Sequence, residues 1–214
     1  MKIGIYGGSF NPIHIGHLTV AEEAKKRLGL NKVIFVPAGN PYFKDQKEIA
    51  NFSVRKNMIL DAIHGMDGFE VSTYESATDK PSYTSETLQH YHEIYPNAEL
   101  FLIVGTDAYY QLHKWHDVDT IISLATIACF TRDQAVAEAI GDGSIQSFID
   151  WSKTDQAERV NLVQLCSEIA LSSSYIRKQI SDGGSFRFLV PHCVYKRIVN
   201  NKLYGYGGDN FVIY

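Results

Sequence analysis

The sequence has no surplus of basic residues and no long apolar segment. Its 20 Lys and Arg residues stand against 24 Asp and Glu, which gives a formal net charge of −4 at pH 7. Proteins that bind nucleic acid nonspecifically usually present a basic face, so that class is not indicated. No stretch approaches the roughly 18 apolar residues of a membrane span, and no apolar leader is recognisable. We therefore expect neither a membrane nor a nucleic-acid partner.

Cysteine is scarce and widely spaced. Cys129, Cys166 and Cys193 are odd in number and form no CxxC pair, so neither a disulfide framework nor a cysteine zinc site is indicated. We expect reduced thiols in a cytoplasmic protein. The remaining composition, 45% hydrophobic and 21% charged residues in a chain of 214, is typical of one soluble globular domain with a substantial core.

Short apolar runs alternate with segments of helical periodicity along the chain. This pattern predicts an α/β fold in which a doubly wound parallel sheet is covered by helices on both faces. In such sheets, ligands bind outside the carboxyl ends of the strands, where the strand order reverses. The predicted strands are 2–6, 32–38, 69–73, 100–105, 126–130 and 161–165. The predicted helices are 17–28, 53–64 with Ser53 as its cap, a segment after 81–84 that ends near Tyr95, 172–181, and one that Pro191 opens.

The chain reads as a single domain over 1–205. A polar segment at about 141–158 is interpreted as a surface insertion, and 206–214 as a C-terminal tail. This aromatic tail either packs against a second subunit in a homo-oligomer or is loosely attached.

The most informative short segment is GIYGGSFNPIHIGHL (4–18). Gly7 and Gly8 end the first predicted strand, and without Cβ atoms their backbone allows close approach of a base or phosphate. The segment is neither GxGxxG nor GxxxxGK[ST], which excludes the usual dinucleotide fingerprint and the P-loop. His14 and His17 flank the predicted helix start, where free N–H groups favour a phosphate. The alternatives are a purely structural histidine pair and a zinc site, and the latter lacks a third ligand nearby.

Two distant motifs together resemble a known superfamily. The HIGH tetrapeptide (14–17) and the segment SSSYIR (172–177) are similar to the nucleotidyltransferase branch of the HIGH superfamily. Class I aminoacyl-tRNA synthetases also contain HIGH, but this chain is short for a synthetase and lacks KMSKS. The segments between them resemble bacterial nicotinate mononucleotide adenylyltransferases: PAGNPYFK (37–44), PSYTSETL (81–88), IVGTDAYYQLHKW (103–115) and LVP (189–191).

The resemblance implies a Rossmann-like fold and a reaction. ATP and nicotinate mononucleotide would give deamido-NAD and pyrophosphate, with Mg²⁺ bound together with ATP and no metal ligands from the protein. The mononucleotide phosphate would attack the α-phosphorus in line, without a covalent enzyme intermediate, so positioning and charge stabilisation carry the catalysis.

The resemblance also implies roles for individual residues. The expected catalytic residues are His14, His17, Lys44 and Arg177. The expected ATP-binding residues are Gly7, Gly8, Ser9, Phe10, His14, His17, Gly105, Asp107, Arg132, Ser172, Ser173, Ser174 and Arg177. The mononucleotide would be bound by Lys44, Thr84, Trp115 and His116, with Trp115 stacked on the pyridine ring and Thr84 and the His116 N–H on its carboxylate.

Several of these residues have a structural alternative. Asp107 and the three serines could cap helices, and Trp115 could be a core residue. The loop Pro41–Lys44 departs from the family's usual PPHK because it lacks the histidine, and Ser174 stands where threonine is common. A related adenylyltransferase, acting on nicotinamide mononucleotide or phosphopantetheine, and a nucleotide-binding module without turnover are the competing functions.

Overall fold

A computed structural model describes residues 1–39, 49–77, 81–131, 162–166 and 171–208 of the protein. Within these ranges the chain alternates strands and helices. The strands are β1 (Lys2–Gly8), β2 (Lys32–Pro37), β3 (Phe69–Val71), β4 (Glu99–Gly105), β5 (Ala125–Thr131) and β6 (Leu162–Cys166). The helices are α1 (Ile15–Leu28), α2 (Phe52–Ala62), α3 (Thr84–Ile94), α4 (Thr106–Gln111), α5 (Val118–Leu124), α6 (Ser173–Ser181) and α7 (His192–Asn200). Short 3₁₀ turns cover Tyr74–Ala77, Leu112–Lys114 and Leu203–Gly205.

The six strands form one parallel sheet in the order β3-β2-β1-β4-β5-β6. The chain starts in the middle, builds outward to β3, and then crosses back to continue on the other side from β4. Tyr6 in β1 is aligned with Phe35 in β2 and with Ile103 in β4. The strand order therefore reverses between β1 and β4, and a ligand crevice is expected at their carboxyl ends.

Side chains alternate between two cores, one on each face of the sheet. In β4, Phe101 and Ile103 join the core that contains buried residues of α1, α2, α6 and α7. Leu100 and Leu102 join the other core, with buried residues of α3, α4 and α5. Both faces are thus covered by helices, which explains why the central strands read as continuous apolar runs rather than alternating ones.

The predicted elements are confirmed with small shifts at their ends. Gly183, with φ 71°, follows shortly after the end of α6, and Pro191, predicted to open a helix, is the N-cap of α7. The strand predicted at 69–73 ends at Val71, because the following residues lead into the Tyr74–Ala77 turn. Ser53 does not cap α2: the helix already begins at Phe52, and Asn51 occupies the N-cap position.

The remaining organisational predictions lie largely outside the described residues. This holds for the whole insertion at 141–158, while the tail is described only as far as residue 208. Over the described ranges, the structure has no helix both long enough and apolar enough to cross a membrane.

Candidate active site

The connection between β1 and α1 places two histidines at the first turn of the helix. His14 is the N-cap of α1 and is only 2% exposed. Its Nδ1 accepts a hydrogen bond from the backbone N–H of His17 at 3.3 Å, and His17 Nδ1 accepts one from the backbone N–H of His14 at 3.3 Å. The two residues form a capping box in which imidazole nitrogens take the place of oxygen acceptors. Both rings are therefore fixed relative to the helix N-terminus.

This capping box also determines where each ring carries its proton. A nitrogen that accepts a backbone N–H has no proton of its own, so a neutral imidazole here is protonated on Nε2. The two rings are stacked with centroids 3.6 Å apart. Gly16 leaves room for this arrangement, because a Cβ at that position would lie 3.2 Å from two atoms of the His14 ring. Packing against the His14 ring thus explains the glycine of the HIGH tetrapeptide. The two histidines are left with Nε2–H groups as donors.

Phe10 supports His17 from the side of the sheet. Its ring meets the His17 ring edge-on at 5.0 Å and packs against Tyr6 and Phe35 at 5.5 Å. Phe10 has φ 44°, a left-handed conformation that is uncommon for a bulky side chain. Because the residue is 1% exposed, the surrounding core holds this conformation in place. Phe10 was expected to contact ATP; what the structure shows is that its ring packs against His17.

Two of the predicted glycines face open space at the reversal of the strand order. Gly7 is the last but one residue of β1 and Gly105 the last residue of β4. A Cβ built on either would have no neighbouring atom within 4 Å. Packing within the described part of the protein therefore does not require glycine at these two positions. The space is available for a ligand that approaches the backbone closely.

The SSSYIR segment lies directly against the turn that follows β1. Ser173 Oγ donates to the carbonyl oxygen of Pro12 at 2.9 Å, although the two residues are 161 positions apart. Arg177 Nη1 donates to the carbonyl oxygen of Asn11 at 3.0 Å, and its Nη2 lies 3.4 Å from Ser174 Oγ. The structure thus brings the two most informative motifs of the sequence together.

Ser172 has the structural role that was the alternative for the serines. It is the N-cap of α6, and its Oγ accepts a hydrogen bond from the backbone N–H of Tyr175 at 3.2 Å. The N-termini of α1 and α6 are consequently joined through the Asn11–Pro12 turn. Helix N-termini, serine hydroxyls and a guanidinium in one place form a site suited to phosphate groups.

A cavity of about 340 Å³ opens beside the glycine pair. It combines residues predicted for ATP with residues predicted for the mononucleotide, and its wall is otherwise mainly apolar. Its lining includes Gly7, Gly8, Ser9, Val36, Glu75, Ser82, Tyr83, Thr84, Leu102, Trp115 and His116.

The far wall of this cavity is formed by the start of α3 and the turn after α4. The ring of His116 stacks on Tyr83 with centroids 4.1 Å apart, and its Nδ1 lies 3.5 Å from Ser85 Oγ. Thr84 is the first residue of α3, and Tyr83 at the N-cap position does not cap the helix with its side chain. The first-turn N–H groups of α3 and the helix dipole therefore favour an anionic group at this end of the cavity.

Sequence reasoning missed Arg55, a buried arginine beneath the site. It is 1% exposed, and its guanidinium donates to three carbonyl oxygens: Ser9 at 2.9 Å, Ala38 at 2.7 Å and Ala50 at 2.8 Å. Burial lowers the pKa of Arg55. The residue fastens the segments after β1 and β2 to α2. The available sequence signal was its position: Arg55 lies three residues before the apolar Met58, and therefore on the face of α2 that is expected to be buried.

Glu75 is the second group that the sequence did not single out. Glu75 lines the cavity, and its carboxylate accepts a hydrogen bond from Thr87 Oγ1 at 2.7 Å. Ser82 and the backbone N–H of Gly39, which donates to Ser82 Oγ at 3.1 Å, are further donor groups that act on this carboxylate. Burial raises the pKa of Glu75, although these bonds and the charge of Arg55 oppose the shift. A Cβ at Gly39 would overlap the carbonyl oxygen of Glu75, which explains the glycine after β2.

The other predicted site residues have different outcomes. Asp107 is exposed in the first turn of α4. Its alternative as an N-cap is wrong, because Gly105 occupies that position. Trp115 is partly buried, packs against the core on the α3 side of the sheet and also lines the cavity. Lys44 and Arg132 lie outside the described residues.

Comparison with known proteins identifies the family. The cytidylyltransferase-like family model matches residues 5–179. A relative from Clostridium botulinum, named "Probable nicotinate-nucleotide adenylyltransferase", is 38% identical over 205 residues, which cover 95% of this chain and 98% of the relative. A relative of the same name from Clostridium tetani is 35% identical over 206 residues, with the same coverage.

Solved structures agree on the fold. The Plasmodium falciparum nicotinic acid mononucleotide adenylyltransferase, in complex with NaAD, has a TM-score of 0.76 to this protein at 17% identity, covering 96% of this chain and 98% of that chain. This likeness confirms the doubly wound α/β fold predicted from the sequence. Together with the two bacterial relatives, it leads to one conclusion: the chain belongs to the nicotinate-nucleotide adenylyltransferase family.

Proposed function

We propose that the protein transfers the adenylyl group of ATP to nicotinate mononucleotide, giving deamido-NAD and pyrophosphate. The observation that carries this proposal is the contact between two motifs at the reversal of the strand order. SSSYIR is hydrogen-bonded to the Asn11–Pro12 turn, and this turn leads directly into the histidine pair. The names of the bacterial relatives support the same reaction.

On the ATP side, the proposal assigns the phosphates to the joined N-termini of α1 and α6. The Nε2–H groups of His14 and His17, the hydroxyl of Ser174 and the guanidinium of Arg177 would donate to phosphoryl oxygens. Gly7 and Gly105 would leave room for the adenosine, and the carboxylate of Asp107 suits ribose hydroxyls. Further ATP-binding residues in this proposal are Gly8, Ser9, Phe10, Arg132, Ser172 and Ser173.

ATP would enter as its Mg²⁺ complex. The groups on the phosphate side are cations and hydrogen-bond donors, which complement phosphate oxygens. The ion would therefore be coordinated mainly by the phosphates and water and would reduce their negative charge.

On the mononucleotide side, the pyridine ring would enter the cavity between Gly8 and Trp115 and stack on the indole. Its carboxylate would be placed at the N-terminus of α3, next to Thr84 and the backbone N–H of His116. The mononucleotide phosphate would then lie toward the glycine pair and the α-phosphorus of ATP. Lys44 would add a positive charge beside this phosphate.

The chemical step needs no nucleophile from the protein. An oxygen of the mononucleotide phosphate forms a bond to the α-phosphorus, while the bond from that phosphorus to the bridging oxygen of pyrophosphate breaks. The bonding electron pair leaves with pyrophosphate. The described residues would act by holding the two phosphates in line and by stabilising the charge that develops between them.

A substrate panel tests this proposal. Purified protein is incubated with MgATP and one acceptor at a time: nicotinate mononucleotide, nicotinamide mononucleotide or phosphopantetheine. Pyrophosphate release and the adenylylated product are both measured. We expect turnover with nicotinate mononucleotide, weaker turnover with the amide and none with phosphopantetheine. ATP binding without turnover on any acceptor would instead favour a nucleotide-binding module.

A further inference from the structure

The Asn11–Pro12 turn is also held by the C-terminal part of the chain. Tyr204 lies in the 3₁₀ turn Leu203–Gly205, and its OH donates to Asn11 Oδ1 at 2.9 Å across 193 positions. The same Oδ1 accepts a hydrogen bond from the backbone N–H of Ala50 at 3.0 Å. Asn11 is 1% exposed, so both hydrogen bonds form away from solvent. A buried polar group that loses its partner there lowers the free energy of unfolding, because water cannot replace the bond.

The backbone around Tyr204 is unusual for its residue types. Tyr204 has φ 59° and Lys202 has φ 50°, both in the left-handed region that residues other than glycine seldom adopt. In this conformation the phenol points inward and reaches the Asn11–Pro12 turn. Burial raises the pKa of Tyr204 well above its ordinary value, against the opposing charges of Arg177 and Arg55. The hydroxyl therefore stays protonated and remains a donor to Asn11.

Asn11 connects Tyr204 to a residue that the proposed function places on the phosphates. While its side chain accepts from Tyr204, its carbonyl oxygen accepts from Arg177 Nη1 at 3.0 Å. Tyr204 and Arg177 thus hold the same residue by two different atoms. Tyr204 and Arg177 also line one further cavity, of about 700 Å³. Movement of Asn11 would change the position of the guanidinium.

We propose that Tyr204 is a positioning residue for adenylyl transfer: through Asn11 it fixes the active-site turn and, with it, the guanidinium of Arg177. The inference rests on the proposed function, because it assigns a purpose to the same site. It also gives the 3₁₀ turn Leu203–Gly205, at the end of the predicted domain, a part in completing that site.

Tyr204→Phe tests the proposal because it removes one hydroxyl and keeps the ring. Loss of one buried hydrogen bond corresponds to roughly a 5- to 20-fold change, and we expect kcat/KM for ATP to fall by this factor. KM for nicotinate mononucleotide should stay within about twofold, because the cavity for that substrate is lined by other residues. Tyr95→Phe is the matched control: its hydroxyl is also hydrogen-bonded, to Lys32 Nζ at 3.3 Å, but at the far end of α3.

A double-mutant cycle with Arg177→Lys distinguishes positioning from general support. If Tyr204 acts through Asn11 on Arg177, Tyr204→Phe should change kcat/KM for ATP by less than about twofold when Arg177 is already replaced by Lys. The cycle is measured on kcat/KM for ATP and, independently, on the dissociation constant of a non-hydrolysable ATP analogue. Urea unfolding of all four proteins establishes that they are folded under assay conditions.

The outcomes separate the two proposals. Equal losses in both backgrounds, or a Tyr204→Phe variant that is less stable but fully active per folded molecule, would overturn the positioning role and leave Tyr204 as a structural anchor. If the wild-type protein binds the ATP analogue without adenylylating nicotinate mononucleotide, the proposed function fails, while the cycle on the dissociation constant still decides the role of Tyr204. Wild-type protein that does not bind the analogue would overturn both.

Discussion

At the residue scale, the two histidines at the start of α1 each use Nδ1 to cap the helix. A plain alanine substitution at His17 would therefore remove a cap and a donor at once. Asparagine and glutamine separate the two, because the amide oxygen of Asn reaches about as far as Nδ1 and the amide nitrogen of Gln about as far as Nε2. The pair of variants can show which ring nitrogen the reaction needs.

His17→Asn should keep the cap but lose the Nε2–H donor. We expect kcat to fall by roughly 10²–10³, as when a donor to transition-state charge is removed, and the free energy of unfolding to change by less than about 1 kcal/mol. His17→Gln should recover part of the activity while destabilising α1 more. Steady-state kinetics and urea unfolding measure the two effects. An Asn variant with wild-type kcat would contradict the donor role.

Glu75 provides a second residue-scale prediction, in the pH dependence of stability. Because burial raises the pKa of Glu75 above its ordinary value of about 4.5, the folded protein holds this proton more tightly than the unfolded chain does. Stability contributed by the protonated group is thus fully present below about pH 4.5 and is lost as pH rises through the raised pKa. Relative to Glu75→Gln, wild-type protein should lose free energy of unfolding across this window.

The measurement is the difference in Tm between wild type and Glu75→Gln as a function of pH, in which titrations common to both proteins cancel. With rising pH, the Tm of wild type should fall relative to that of Glu75→Gln, and the difference should then become constant. Movement in the opposite direction would mean that the bonds from Thr87, Ser82 and Gly39, together with Arg55, outweigh burial.

At the scale of secondary-structure elements, the long buried strands and the capped or proline-bounded helices were predictable. Each contains enough residues to establish its own periodicity. The short helices α4 and α5 were missed because six or seven residues make fewer than two helical turns, too few to establish a period. Ser53 was misassigned because Asn51 and Ser53 are both acceptable caps in sequence, and only the observed start at Phe52 distinguishes them.

Arg55 shows how one helix organises the loops on which the site depends. Its three donors join α2 to the segments after β1 and β2. A lysine could replace only some of these three hydrogen bonds, because it lacks the planar guanidinium. Arg55→Lys should therefore lower the free energy of unfolding by about 3 kcal/mol, since buried carbonyls lose charged donors. Urea denaturation measures the loss, with Arg27→Lys as a control on an exposed arginine that pairs with Glu23. A loss no larger than that of the control would show that the three bonds contribute little.

At the scale of the whole molecule, the sheet separates the two halves of the site. The helices α1 and α6, which we propose to bind the phosphates, belong to the core on one face, and α3, beside the cavity, belongs to the core on the other. The two halves meet where the strand order reverses at Gly7 and Gly8. This meeting was predictable from the alternation of strands and helices, and the partners within each half were predictable from motifs.

The supporting contacts were not predictable in the same way. The bond from Tyr204 to Asn11 and the three bonds from Arg55 join residues whose separation in sequence carries no periodic signal. Their partners are backbone carbonyls or a turn side chain, and such contacts leave no pattern of residue types. These hydrogen bonds can be identified only from the folded structure.

The proposed choice between acid and amide would follow from the assembled cavity rather than from one residue. Nicotinate and nicotinamide differ only by a carboxylate against a neutral amide, so an apolar slot alone could hardly distinguish them. The start of α3 offers first-turn N–H groups and a favourable dipole, and Thr84 and His116, which line the cavity, would add donors in the proposed pose. A carboxylate at the start of α3 would accept from all of them, whereas the NH₂ of the amide would meet N–H donors there without an acceptor. The carboxylate of Glu75, which lines the same cavity, already accepts a hydrogen bond from Thr87 Oγ1.

We therefore expect kcat/KM to favour nicotinate mononucleotide over the amide by at least roughly tenfold, about 1.4 kcal/mol, which one or two such hydrogen bonds can provide. Trp115→Ala should raise KM for the mononucleotide far more than KM for ATP, because it removes the stacking surface but no donor, and it should leave the preference for the acid largely intact. Thr84→Val, which removes the hydroxyl at similar volume, should instead reduce that preference. Equal kcat/KM for acid and amide in the wild-type protein would contradict selection by donors and indicate an enzyme of dual specificity.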